Sequence, residues 1–166
     1  MGCATLRRDL RCNHMVAQNL DRIEKNIVLQ APRARVWRAL TTAREFGAWF
    51  GVQLESEFSA GAEVRGRITL PGFENVVFTA WVERIEPERS FAYRWHPYAI
   101  DPEVDYSKEP TTLVEFQLEE VASGTALTVV ESGFERIPLA RRAEAFRMND
   151  GGWAAQLENI ERYVAA

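Results

Sequence analysis

The chain predicts an α+β domain in which a curved, seven-stranded antiparallel sheet is closed by one long C-terminal helix, with two short helices after the first strand. Three observations carry this. Strand-like stretches follow one another from residue 52 to residue 132, separated by turn residues. Ahead of them, an apolar pattern of helical spacing is broken once at Thr41-Thr42. Behind them, residues 138–164 repeat apolar side chains every three or four positions.

Patterned sequence begins where Ile23, Lys25, Ile27 and Leu29 alternate with Glu24, Asn26, Val28 and Gln30, the period-two signature of a strand. Ala31-Pro32 ends it, and Pro32 suits the first turn of a helix. Val36, Trp37 and Leu40, then Phe46, Trp49 and Phe50, predict a helical hairpin whose second member is capped by Thr41-Thr42 and ended by Gly51. Strands are expected over residues 52–58, 63–70, 73–85, 90–96, 112–120 and 125–132. The reversals Ser59-Ala60-Gly61, Pro71-Gly72, Glu86-Pro87-Glu88 and Ala122-Ser123-Gly124 are short, which favours antiparallel neighbours. Residues 97–110 form a loop long enough to act as a flap.

In the closing helix, Leu139, Ala143, Phe146, Trp153, Leu157, Ile160 and Val164 share one face, and Asp150 falls on it too. Gly151 and Gly152 interrupt that stripe at a cost of about 2 kcal/mol together relative to alanine. Either the helix kinks where the sheet approaches its backbone, or it lies over a partly polar cavity. In the strands, Phe91, Tyr93 and Trp95 share a dry face with Val114, Phe116 and Leu118. In the last strand, Leu127, Val129 and Glu131 join that face, so two carboxylates, Glu131 and Asp150, are expected to look inward.

With 166 residues, 46% of them hydrophobic and 27% charged, the chain has the make-up of one globular domain with a sizeable core. A net charge of −4 argues against a nucleic-acid partner. No apolar run is long enough to span a membrane, and a cytoplasmic location is expected. Residues 1–20 lack periodicity and are expected to be a disordered extension, with Met15 an alternative start and residues 21–166 the folded domain. Cys3 and Cys12 lie in that extension and form neither a disulfide framework nor a zinc site, and with only His14 and His96 no metal set can be assembled. No cofactor is called for.

The order of elements is that of a helix-grip fold. The chain resembles the START-like (SRPBCC, birch-pollen-allergen-like) superfamily and, within it, the family named after activators of the heat-shock-protein-90 ATPase. The likeness is carried by Ala31-Pro32 with Val36-Trp37 and Leu40, by Trp49, by Gly61 and Glu63, and by Val82 to Pro87 with Phe91 and Trp95. It continues through Gly124-Thr125 with Leu127, Glu131-Ser132-Gly133-Phe134, and Gly152-Trp153 with Leu157. The resemblance implies a hydrophobic cavity between sheet and helix. In the wider superfamily such cavities serve lipid transport, hormone or polyketide binding, and some cofactor-free cyclisations.

Three functions are therefore weighed: binding of a small hydrophobic or amphipathic molecule, a cofactor-free cyclase or aromatase, and an interaction protein docking on a chaperone or a second copy. For the first, Trp49, Phe50, Tyr93, Trp95, Phe116, Val129, Glu131, Phe146, Asp150 and Trp153 are the candidate ligand-binding residues. For the second, Glu131 and Asp150 would be the acid and base, because two carboxylates in a site of low polarity push their pKa values apart. Against this, Asp150 could simply cap or kink the helix and Glu131 could pair with an arginine, and alternating aromatics are usually core.

Overall fold

A computed structural model describes residues 20–166; the predictions for the first nineteen residues, including Cys3, Cys12, His14 and the start at Met15, lie outside the described residues. Strand β1 (Arg22–Leu29) leads into α1 (Arg33–Thr41) and α2 (Ala43–Phe50). Six strands follow: β2 (Val52–Leu54), β3 (Glu63–Ile68), β4 (Val77–Glu86), β5 (Ser90–Trp95), β6 (Thr112–Val121) and β7 (Gly124–Ser132). Helix α3 (Leu139–Ala165) closes the chain. The sheet order is β1-β7-β6-β5-β4-β3-β2, antiparallel throughout. Strands β1 and β2, consecutive in the chain, thus stand at opposite edges, and the α1–α2 hairpin is the crossover between them. The helix-grip architecture expected from the sequence is the one observed.

Local chemistry explains the boundaries. Pro32 is the N-cap of α1, and Gly51 ends α2 in the left-handed region at φ 91°, where a side chain would be strained. Gly47 lets α2 lie directly on β2: a Cβ there would stand 2.2 Å from the Val52 carbonyl oxygen. The free amide of Ala43 at the start of α2 donates to the Glu57 carboxylate at 2.8 Å, the cap that Thr42 does not supply. A bulge between Val82 and Arg84 breaks the β4–β5 register, and bulges bend strands, which suits a sheet that curls.

The concave face carries the core. Phe46 stacks on Phe50 at 4.8 Å and meets Phe58 edge-on at 5.2 Å, while Phe91 stacks on Phe116 at 6.0 Å. Burying each such ring contributes roughly 1.5–3 kcal/mol. Helix α3 lies across this face without interruption, and a Cβ at Gly151 or Gly152 would touch nothing within 4 Å. Of the two readings of these glycines, the close approach of the sheet to the helix backbone is therefore not found.

The inward stripe of α3 is Ala145, Asn149, Trp153, Leu157, Ile160 and Val164, of which all but the half-buried Asn149 are buried. Leu139 is 80% exposed and Ala143 is exposed as well, so the predicted stripe is out of phase in the N-terminal half of the helix. Among the described residues no helix is long and apolar enough to cross a membrane.

Candidate functional site

Glu131 is the pivot of the interior. Strand alternation turns it inward, as expected, and it is fully buried. Cross-strand pairing sets its surroundings: Glu131 lies opposite Val114, which lies opposite Tyr93, and one pair further along the sheet Thr112 lies opposite Trp95. Trp95 Nε1 and Thr112 Oγ1 donate to one carboxylate oxygen at 2.7 and 2.6 Å. From α3, Trp153 Nε1 donates to the other oxygen at 2.8 Å, and Asn149 Nδ2 reaches both at 2.9 and 3.2 Å. No cation is among these partners. Burial is the largest influence and pushes the Glu131 carboxyl above the usual glutamate range, and the four donors pull it down without cancelling that rise. The Tyr93 hydroxyl is buried nearby without a partner. Burial, then the Glu131 charge, hold its pKa well above that of an ordinary tyrosine.

Around Glu131 the space under the helix is therefore filled. Tyr93, Phe116, Val129 and Trp153 are packed core, and rings pack closely around Glu131, with Trp153 5.7 Å from Phe116. Trp49 is also core, its indole donating to the Ala39 carbonyl at 2.8 Å. Phe146 packs edge-on against Phe134 at 5.1 Å. Asp150 does not face Glu131: it stands at the sheet edge, 3.0 Å from Lys25 of β1, with 47% of its side chain exposed. The expected acid–base pair is not assembled, because one step along a helix rotates a side chain by about 100°.

Open space lies one layer further out. An apolar cleft of about 630 Å³ is bounded by the β3–β4 hairpin, the ends of β4 and β5, the loop after β5 and the middle of α3. Phe50, Phe78 and Trp95 form its floor with Ile68, while Leu70, Phe73, Val77 and Met148 stand exposed at the mouth. The loop contributes Tyr98, Ile100, Asp101, Pro102 and Tyr106, and α3 contributes Asn149, Gly152 and Gln156. Of the ten predicted ligand-binding residues, Phe50 and Trp95 line this cleft. Trp95 and Asn149 connect it to Glu131, since each lines the cleft and donates to that carboxylate. Gly152 leaves room on the helix side.

Arg141 of α3 holds the loop. Its guanidinium pairs with Glu109 at 2.6 Å, donates to the Pro97 carbonyl at 2.7 Å and lies 4.8 Å over the Tyr106 ring. One side chain thereby ties both ends of a loop that begins with Tyr98 in the left-handed region at φ 51°. Sequence reasoning had singled out the loop by its length, yet passed over the hairpin residues Leu70 and Phe73. Their signal was present: two large apolar side chains flank a Pro-Gly turn where polar residues are the norm.

A sheet curled around a terminal helix, with an apolar cleft at one end of the grip, defines a START-like helix-grip protein. The chain belongs to the family described as Activator of Hsp90 ATPase homolog 1-like protein, whose profile matches residues 30–165. Among solved structures it is similar to protein MLL2253 from Mesorhizobium loti, with 21% identity and a TM-score of 0.69 over 87% of this chain and 96% of that one. The Aha1 dimer from Colwellia psychrerythraea aligns at 18% identity and a TM-score of 0.65, over 86% of this chain and 95% of that one. DynU16, a putative protein in the dynemicin biosynthetic locus, aligns at 25% identity and a TM-score of 0.67; the match covers 88% of this chain and 48% of DynU16. No curated protein matches the chain.

Proposed function

We propose that the protein binds a small hydrophobic or amphipathic molecule in the cleft between the β3–β4 hairpin, the loop after β5 and α3. The observation that carries this is the cleft itself: a space of about 630 Å³ walled by aromatic and aliphatic side chains, with a few neutral polar groups along α3. Small-molecule sites have this size and this mixture. Exposed apolar side chains gathered at one mouth, here Leu70, Phe73, Val77 and Met148, mark a surface that gains by being covered. The position of DynU16 in a biosynthetic locus supports a role beside small-molecule chemistry. The acid–base route through Glu131 and Asp150 is set aside, since the first is sealed by four donors and the second faces Lys25.

Intrinsic tryptophan emission reports occupancy, because Trp95 is part of the wall. Titration with a panel of naphthalenes, phenols and medium-chain alcohols is expected to quench that emission saturably. Gly152→Leu fills the open side of the cleft, where the glycine has no neighbour within 4 Å, and is expected to weaken binding at least about tenfold, or about 1.4 kcal/mol, without lowering the unfolding midpoint. Binding unaffected by Gly152→Leu, or no binding from the whole panel, would overturn the proposal.

A further inference from the structure

The chemical class of ligand follows from where the cleft's hydrogen-bond donors point, an argument that rests on the cleft being the binding site. Besides Asn75 at the rim, four wall residues carry a side-chain N–H, and each already donates to the protein, although the Gln156 amide keeps a second hydrogen. Trp95 Nε1 and Asn149 Nδ2 are on Glu131, and Gln156 Nε2 donates to the Phe50 carbonyl at 2.8 Å. His96 Nε2 stands 3.1 Å from the Glu109 carbonyl. A carbonyl oxygen only accepts, so that contact places a proton on Nε2.

Deep in the cleft and at its acidic loop, acceptor capacity remains for a ligand. Asn149 Oδ1 has no partner, its amide having been turned onto Glu131. Asp101 presents a carboxylate that accepts from the Glu103 amide at 2.9 Å and has further lone pairs. The Tyr106 hydroxyl accepts from the Asp101 amide at 3.1 Å and keeps its own proton to donate, those of Thr79 and Tyr98 serve in either direction, and Asn75 sits exposed on the outer turn. Charge points the same way: no lysine or arginine lines the cleft, and Asp101 is its one acidic group. The nearest guanidinium described above, that of Arg141, lies behind the Tyr106 ring and is already paired with Glu109.

We infer that the cleft selects an aromatic ligand that is not anionic and that donates hydrogen bonds, a phenol or an aromatic amine, and that it rejects carboxylates. A carboxylate entering here would lose its water, find no lysine or arginine in the wall to replace it, and face Asp101. A phenol keeps its ring against Phe50, Phe78 and Trp95 and gives its proton to a waiting acceptor.

Three probes of nearly one shape separate the terms at neutral pH: naphthol, methoxynaphthalene and naphthoate. Naphthol is expected to bind about tenfold more tightly than methoxynaphthalene, the worth of one hydrogen bond, and naphthoate at least tenfold more weakly than naphthol. Asp101→Arg, a change on an exposed loop residue, is expected to reverse the order of naphthol and naphthoate. Equal affinities for naphthol and methoxynaphthalene, or naphthoate binding best to the unaltered protein, would overturn the inference while leaving the cleft a hydrophobic site. Failure of all three probes, methoxynaphthalene included, would instead remove the binding site on which the inference stands.

Discussion

Glu45 and Glu131 are the two carboxylates that the described residues bury, at 4% and 0% exposure, and opposite means hold them. Glu45 of α2 receives Arg35 and Arg38 of α1, each at 2.9 Å, and the Tyr163 hydroxyl of α3 at 3.0 Å. Burial pushes its pKa up, but the Tyr163 hydrogen bond and the two guanidinium charges outweigh that, so it lies below the usual glutamate value. Glu131 has donors and no counter-charge, and its pKa is raised. The first is a clasp fastening three helices near water. The second is a buried carboxyl group whose oxygens are met by indole, amide and hydroxyl donors in place of water. A carboxyl group can thus be kept inside a fold by cancelling its charge or by hydrogen-bonding its oxygens, and only the second arrangement ties two side chains of the cleft, Trp95 and Asn149, to a single orientation.

The largest consequence concerns truncation. Glu131→Ala takes the acceptor from four donors, of which those of Thr112 and Trp153 are buried, and is expected to cost about 4 kcal/mol in urea unfolding, within the range for stranding buried polar groups. Glu45→Ala should cost only about 1–2 kcal/mol, since the Arg38 side chain is 61% and the Arg35 side chain 23% exposed and both can turn to water. Equal losses would break the distinction.

The pH dependence comes next, with opposite signs. At Glu45 the folded-state pKa is lowered, so the unfolded chain holds the proton more tightly. Its contribution is present above the unfolded value of about 4.3 and is lost as pH falls through the folded value. At Glu131 the folded-state pKa is raised, so the folded chain holds the proton more tightly. Its contribution is full below about 4.3 and declines as pH rises through the folded value. Unfolding midpoints of Glu45→Gln and Glu131→Gln, measured against pH beside the unaltered protein, should differ from it with slopes of opposite sign. Parallel curves for Glu131→Gln would show that this group titrates alike in both states.

The smallest effects belong to the exposed side of α3. Asp150→Asn removes a half-exposed pair with Lys25 and is expected to change stability by no more than about 0.5 kcal/mol. Gly151→Ala adds a methyl that meets nothing within 4 Å and should stabilise by about 0.5–1 kcal/mol through helix propensity. A loss of several kcal/mol at Asp150 would return it to the interior and make it a partner of Glu131 after all.

Much of the fold is legible residue by residue. Alternation in β7 turns Glu131 inward without reference to any other element, because a strand has two faces and a period of two leaves no third choice. Pro32 and Gly51 mark helix ends by their own backbone chemistry. The site is less legible. The helical period of 3.6 leaves Asn149 and Asp150 both compatible with an apolar stripe, one counted back from Trp153 and the other forward from Phe146, and packing chose Asn149. Likewise Tyr93 and Trp95 alternate on the same strand and face, yet Tyr93 is sealed while Trp95, at the end of β5 beside the loop, borders the cleft.

The order of elements, the antiparallel pairing, the turns and the inward carboxylate of β7 were thus determined by the sequence alone, since each rests on local backbone geometry or on a short, unambiguous period. Which aromatic rings fill the grip and which line a cleft, which polar residue of α3 meets Glu131, and which way the cleft's N–H groups point were decided by the tertiary structure alone. These depend on the phase of one long helix against a curved sheet, a quantity fixed by packing volumes summed over distant parts of the chain.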